Sequence, residues 1–320
     1  MKILVIGGTG TVGSHLVPRL VQGGHEVSVI SRRPEPYYTN PDIAWPAVNW
    51  ISTDRGKETA SGEWAKRMAD IETDVVMDLL CYSGEQNNIM YEAFKGRVQH
   101  FINCGSIWAY GPSERAPYEE HFPRKPIDSY GGGKVEIETF LMKKFQEEGF
   151  PATVIHPGHI CARKVLPIDP QGSRDGVGVY EKLATGKTVH LPDLGLATLH
   201  HVHGDDVAQM FELAMIHREQ ALGQSFSAVA PYAMSLLGLT RFVAGLFGKE
   251  PNIELVPLEA MAEHVSEQSF DIIRQHIIMS LCVSIDKAKR LLGYAPRYTT
   301  EQIFVEAIDY LLESGQLDLQ

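Results

Sequence analysis

Tyr130 and Lys134 stand four residues apart in the segment "DSYGGGKVEIETFLMKKF". On a helix they share one face, with Cβ atoms about 5–6 Å apart. A tyrosine hydroxyl, with an unperturbed pKa near 10, is a poor base at neutral pH. Proton transfer through it needs a neighbouring positive charge that favours the phenolate, and Lys134 lies one turn away. The three glycines between them are costly, since glycine inside a helix loses roughly 1 kcal/mol against alanine. A purely structural reading stands beside the chemical one: Asp128 caps the helix, and Gly131 to Gly133 are its loose first turn.

A second constellation lies at the start of the chain. "GGTGTVG" falls between the apolar run "KILVIG" and the helical run "SHLVPRLVQGG", the strand-to-helix setting that gives a glycine motif meaning. Gly8, Gly10 and Gly13 fit G-x-G-x-x-G, while Gly7, Gly10 and Gly13 fit G-x-x-G-x-x-G. Either spacing brings a pyrophosphate to the helix N-terminus, around Thr11 and Val12, where free N–H groups and the helix dipole favour an anion. The next strand, "HEVSVISR", ends in Ser31, Arg32 and Arg33 with no carboxylate for an adenosine ribose. A hydroxyl and guanidinium groups suit a 2′-phosphate instead, which favours NADP and leaves NAD as the alternative; two solvated arginines opening a surface loop is the plainer reading. Asp54 is placed either to accept from the adenine amino group or to serve as a turn residue.

These groups need a scaffold, and the rest of the chain describes one. Strand and helix patterns alternate through "GEWAKRMADI", "DVVMDLL", "NNIMYEAFKGR", "QHFINCGS", the Tyr130 helix and "PATVIHPG", which predicts an α/β fold with a doubly wound parallel sheet. After Pro157 glycine- and proline-rich loops interrupt the pattern until "LHHVHGDDVAQMFELAM" resumes it. Residues beyond about 233 are mainly helical. The expected division is a dinucleotide-binding domain over 1–161 and 199–232, and a smaller, mainly helical substrate-binding domain over 162–198 and 233–320.

Composition narrows the class. Lys and Arg total 29 against 40 Asp and Glu, a formal charge of −11 that opposes general binding to phosphate backbones, so no nucleic-acid partner is expected. Cys81, Cys104, Cys161 and Cys282 show no C-x-x-C spacing and read as reduced thiols of a cytoplasmic protein. "MKILVIGGTG" is too short in its apolar run for a signal peptide, and no stretch approaches the ~20 apolar residues that span a bilayer. His200, His201 and His203 invite a metal site, but on a strand only 201 and 203 share a face. No metal is expected there.

The strand "QHFINCGS" delivers Ser106 to the carboxyl edge of the sheet, in "CGSIWAYG". A strand-end serine followed by Tyr-x-x-x-Lys resembles the short-chain dehydrogenase/reductase superfamily, and more closely its extended branch, the NAD-dependent epimerase/dehydratase family. "GGTGTVG", "DVVMDLLC", "CGSIWAYG", "YGGGK", "VIHPGHI", "HHVHGDDVA" and "DKAKRLLGYAP" follow the family's order over nearly the whole chain. The resemblance implies a Rossmann sheet, a catalytic set of Ser106, Tyr130 and Lys134, and a small-molecule substrate oriented by Ser106. It places Lys134 on the nicotinamide ribose, adds Leu79 to the cofactor set, and puts the backbone of Pro157, His159 and Ile160 against the nicotinamide amide. The glycine triplet would leave room beside that ring. His203 and Asp206 match a structural H-x-x-D, and a homodimer through the helices after Ser106 and around Tyr130 is common in the family.

Departures from the family pattern bear on the substrate. His159 stands where many sugar-nucleotide enzymes have asparagine, and "CARKVLP" lacks their aromatic-glycine-proline continuation, which weighs against a nucleotide sugar. Arg163 and Lys164 either bind an anionic group or face water; Trp108 either walls the substrate pocket or packs. The leading expectation is an epimerase or dehydratase acting on a sugar, sugar nucleotide or related polyol. An NADPH-dependent carbonyl reductase is the alternative. A third reading is an RNA-binding or regulatory relative without catalysis, as chloroplast stem-loop-binding members suggest, against which the charge and the intact Ser106, Tyr130 and Lys134 weigh.

Overall fold

Seven apolar runs become seven parallel strands of one sheet, ordered β11-β6-β5-β4-β1-β2-β3, in a computed structural model that describes residues 1–33 and 45–317. The first half of the chain runs β1 (Lys2–Ile6), α1 (Gly13–Gln22), β2 (Glu26–Ser31), β3 (Asn49–Ser52), α2 (Arg55–Ser61) and α3 (Glu63–Asp70). It continues through β4 (Val75–Asp78), α4 (Gly84–Phe94), β5 (His100–Cys104), α5 (Ser129–Glu148) and β6 (Ala152–Pro157). Every residue of β4, β5 and β6 is buried, as expected of strands covered by helices on both faces.

The second half begins with β7 (His159–Cys161), α6 (Gly178–Thr185), β8 (Val189–Pro192), β9 (Thr198–Leu199) and β10 (His201–His203). Then α7 (Gly204–Ile216), α8 (Arg218–Ala221) and β11 (Gln224–Ala228) bring the chain back to the sheet, where β11 pairs with β6. The chain ends with β12 (Met234–Ser235), α9 (Leu236–Leu246), β13 (Ile253–Val256), α10 (Glu267–Met279), α11 (Asp286–Leu292) and α12 (Thr300–Glu313).

Three apolar cores hold this arrangement. Leu16 and Leu20 of α1 meet Val207 and Phe211 of α7 on one face of the sheet. Trp64 of α3, Phe94 of α4 and Leu141 of α5 cover the other. A third cluster joins α6, α9 and α12 through Tyr180, Leu183, Leu239, Val243 and Phe304. The strand order reverses between β1 and β4, so a crevice opens beyond their carboxyl ends, the place where such sheets bind ligands. Among the described residues no helix is long and apolar enough to cross a membrane.

Candidate functional site

Ser106 follows β5 directly and caps the short turn Ile107–Tyr110, its Oγ accepting from the Trp108 N–H at 3.2 Å. Tyr130 lies in the first turn of α5, whose N-cap Asp128 accepts from the Gly131 N–H at 2.7 Å. The capping reading of this segment therefore holds. Ser106 and Tyr130 line one pocket of about 420 Å³ together with Trp108, His159, Arg174 and His276. Trp108 is fixed there by an Nε1–H bond to Asp128 at 2.8 Å.

Lys134, only 1% exposed, sends its ammonium to the carbonyl oxygens of Cys81 and Cys104, each at 2.7 Å. The same nitrogen lies 4.8 Å from the Tyr82 ring centre and 5.7 Å from that of Tyr130. Tyr130 keeps 45% of its surface open. Even so, the protein crowded around its hydroxyl pushes the phenol up to about 12, with the Ser106 hydroxyl pulling the other way. Burial is the largest cause of this shift, while the Lys134 ammonium is engaged by two carbonyls.

The glycine triplet also has a different use from the expected one. A Cβ on Gly133 would stand 2.6 Å from the Tyr82 carbonyl oxygen, and one on Gly131 would stand 3.0 Å from the Trp108 carbonyl oxygen. These glycines make room for the protein's own loops. A Cβ on Gly132 would meet nothing within 4 Å.

Behind Ser106 lies a buried polar chain. His156 Nδ1 accepts from the Ser106 N–H at 3.1 Å, His156 Nε2 is 3.3 Å from Glu138, and Arg124 binds Glu138 through Nε at 2.8 Å and Nη2 at 2.6 Å. Glu138 is one further turn along α5 from Lys134. Tyr130, Lys134 and Glu138 thus form a ladder on one helix, with the first rung in the pocket and the last behind the strand that carries Ser106.

A second cavity, about 780 Å³, opens over the glycine loop and is lined by Gly7, Gly10, Arg32, Arg33, Asp54 and Tyr82, among others. Gly7 has φ +85, and a Cβ on Gly13 would stand 2.4 Å from the Gly8 Cα, so neither position accommodates a side chain. No side chain caps the N-terminus of α1 and no acidic residue lies in its first turn, which leaves the dipole end, at Thr11 and Val12, suited to an anion. These features fit a dinucleotide.

The family model described as the NAD dependent epimerase/dehydratase family matches residues 3–228. The chain belongs to that family. A 2′-dehydrokanamycin reductase from Streptomyces kanamyceticus is 26% identical, over 84% of this chain and 73% of its own length. A chloroplast stem-loop binding protein of 41 kDa from Arabidopsis thaliana is 25% identical, over 99% and 79%. Among solved structures, the UDP-glucose 4-epimerase of Thermotoga maritima, solved with UDP-glucose, has a TM-score of 0.71 at 22% identity and covers 98% of this chain and 99% of its own. That likeness concerns the fold.

Within this epimerase/dehydratase fold the remaining expected residues fall into three groups. Arg32 stays at the cavity wall, but Ser31 gives its hydroxyl to the Arg33 carbonyl, and Asp54 caps α2 by accepting from Lys57 at 3.2 Å. Leu79 packs in the core while its neighbour Leu80 lines the cavity. Pro157 ends β6, and Gly158, His159 and Ile160 reach the substrate pocket. Arg163 pairs with Glu313 of α12 and is absent from the pocket wall.

The histidine run is structural in its bonding. His200 bonds Ala230 O at 2.9 Å and accepts from Val283 N–H, His201 bonds Ile168 O at 3.2 Å, and His203 bonds Glu306 at 2.9 Å while stacking on Tyr298. Asp206 accepts from Arg297 N–H and Tyr298 N–H. Sequence reasoning missed Arg55, whose Nη1 lies 2.8 and 2.9 Å from the two Asp78 oxygens at the floor of the nucleotide cavity. It also missed Tyr82, Arg174 and His276. Of these, only Arg174 had a local signal, as a lone cation in the glycine-rich "QGSRDG".

Proposed function

We propose that this family member is an epimerase- or dehydratase-type oxidoreductase acting on a sugar, sugar nucleotide or related polyol. The observation that carries the reading is the position of Lys134, whose ammonium lies between Tyr82, on the wall of the nucleotide cavity, and Tyr130, on the wall of the substrate pocket. A nicotinamide dinucleotide, when bound, supplies the hydride acceptor and donor. Tyr130 Oη, once in its phenolate form, takes the substrate hydroxyl proton as the carbonyl forms and returns it afterwards. Ser106 Oγ already accepts from Trp108, so its own proton is available to the substrate oxygen. Lys134 holds its charge near both rings and fixes the loop that carries Tyr82. The two expected domains form part of the proposal: Ser106 and Tyr130 come from the first, Arg174 and His276 from the second.

A second reading, an NADPH-dependent carbonyl reductase, draws on two observations. Arg32 and Arg33 line the nucleotide cavity, and the Tyr130 phenol, pushed up to about 12, holds its proton at neutral pH and is ready to give it to a carbonyl oxygen. Cofactor retention separates the two. An epimerase re-reduces its own intermediate and keeps its dinucleotide, whereas a reductase must exchange it every turnover. Protein purified without added cofactor and then denatured is expected to release roughly one dinucleotide per chain, and to isomerise a substrate with no reductant present. Little or no released dinucleotide selects the reductase. In either case Tyr130→Phe is expected to lose ~100-fold or more of turnover with dinucleotide binding nearly intact; retention of more than about a tenth removes Tyr130 from the acid/base role.

A further inference from the structure

Some arginines of this acidic chain find carboxylate partners. Arg19 pairs with Asp205 and Glu212, Arg55 with Asp78, Arg124 with Glu138, and Arg163 with Glu313. Arg174, which is exposed, does not. Its guanidinium has no ion pair or hydrogen bond to any described residue, although it lines the same pocket as Ser106 and Tyr130.

Its loop is firmly tied. The buried Asp169 carboxylate accepts N–H bonds from Gln171 at 2.8 Å and Ser173 at 3.0 Å, and the Ser173 hydroxyl bonds it as well. Gly172, at φ +87, closes the turn, and its carbonyl accepts from His276 Nδ1 at 2.7 Å. On the far side Asp175 accepts from the Ser269 hydroxyl. Residues 172 and 175 are therefore both fastened to α10, the helix whose Ile272, Gln275 and His276 complete the wall. Arg174 is carried on a fixed platform between two anchors.

The rest of the wall carries one carboxylate and gives Arg174 no ion pair. The one carboxylate there, Asp128, is engaged on both oxygens by Trp108 Nε1–H and Gly131 N–H. His159, His201 and His276 are held neutral chiefly by burial, and the Arg174 charge further disfavours their protonation. A neutral polyol offers this guanidinium only neutral acceptors. A carboxylate or phosphate matches its planar fork with two charge-assisted bonds, and the half-buried Gln275 amide, which makes no side-chain bond of its own, lies on the same wall.

We infer that the substrate carries an anionic group of its own, a carboxylate or a phosphate monoester, which Arg174 binds while a neighbouring carbinol carbon meets Ser106 and Tyr130. This rests on the reading of the pocket as the substrate site, but its test is of binding and does not need turnover.

The experiment titrates NADP-loaded protein, wild type and Arg174→Gln, with glucose, glucuronate, glucose 6-phosphate and UDP-glucose in a calorimeter. At least one anionic monosaccharide is expected to bind about tenfold or more tighter than glucose, and Arg174→Gln to lose about tenfold to a hundredfold of that affinity, with Arg174→Lys recovering part. Glucuronate or glucose 6-phosphate identifies the anion as carboxylate or phosphate. The inference is overturned if no anionic monosaccharide separates from glucose, if Arg174→Gln changes nothing, or if only UDP-glucose responds, since the anion would then be a nucleotide diphosphate. Loss of anion discrimination in Arg174→Gln alongside full turnover in Tyr130→Phe would keep the anion site and discard the catalytic assignment.

Discussion

One nitrogen of His156 stands 3.1 Å from the Ser106 backbone nitrogen and 3.0 Å from the Ser106 carbonyl oxygen. Without a proton on this nitrogen it accepts from the N–H; with one it donates to the carbonyl. Glu138, beyond the other ring nitrogen, governs how this contact is held. Burial pushes the Glu138 carboxyl up, but His156 and Arg124 outweigh it and leave the group well below the usual carboxylate range. Glu138→Gln is expected to cost about 3–5 kcal/mol at pH 7 by stranding the buried Arg124 charge. Because the folded pKa is depressed, this stability is complete above the unfolded value near 4.3 and is lost as pH falls through the lower folded one. Urea unfolding should show the gap between wild type and variant narrowing by roughly 1–2 kcal/mol at pH 3. An unchanged gap would mean that shape rather than charge matters at this position.

Neighbouring glycines in one helix turn should respond in opposite directions. Gly132→Ala adds a methyl group in open space and is expected to stabilise the protein by about 0.5–1 kcal/mol. Gly133→Ala drives a Cβ into the Tyr82 carbonyl; a cost of about 1–3 kcal/mol is expected, with weaker dinucleotide binding because Tyr82 lines that cavity. Thermal unfolding and a cofactor titration of both variants check this. Similar behaviour of the two would remove the steric explanation.

NADP is expected to bind more tightly than NAD. Arg32→Ala should weaken NADP by about tenfold to a hundredfold, the usual loss for a charge-assisted phosphate contact, and leave NAD almost unchanged. Fluorescence titration with the two dinucleotides decides it, and equal wild-type affinities would assign Arg32 and Arg33 to the solvated surface.

Acid should unfold this protein through its histidines. Burial lowers His100 and His201 to about 3 and His200 and His276 to about 4. Their folded values lie below the unfolded one near 6.5, so the unfolded chain binds more protons in between. Stability is then full above pH 6.5 and falls steadily toward pH 4, by up to about 1.4 kcal/mol per pH unit for each group. With His15 and His159, which burial also lowers, the slope of unfolding free energy against pH between 5 and 6 should correspond to roughly five protons. A slope of one proton or less would show that these rings are already charged when folded.

The frame of the molecule was legible because "KILVIG", "DVVMDLL" and "QHFINCGS" are continuous apolar runs, and a run of that kind has few places to go other than a covered parallel strand. The positions of Ser106 and the glycine loop were legible for the same reason, since each lies just past a strand end. What lay outside local spacing was lost. Arg55 meets Asp78, and Arg174 meets His276's helix, only through chain crossings that no nearby residue announces. The spacing of Arg163 after a strand gives no mark of the direction it faces, and Glu313 of the last helix pairs with it. Spacing likewise reports the charge near Tyr130 but not the burial around its hydroxyl.

Lys134 binds the carbonyl of Cys104 at the end of β5 and that of Cys81 just beyond β4, and this has a bearing on ancestry. A descendant of this chain that abandoned its chemistry would still need an ammonium at that point, since without it two interior carbonyls lose their donor at about 1–3 kcal/mol each. The lysine would outlast any chemistry at this site. In a relative of uncertain activity its presence is therefore a record of architecture, and the tyrosine hydroxyl one turn earlier, which supports no strand, is the better witness to whether catalysis has been kept.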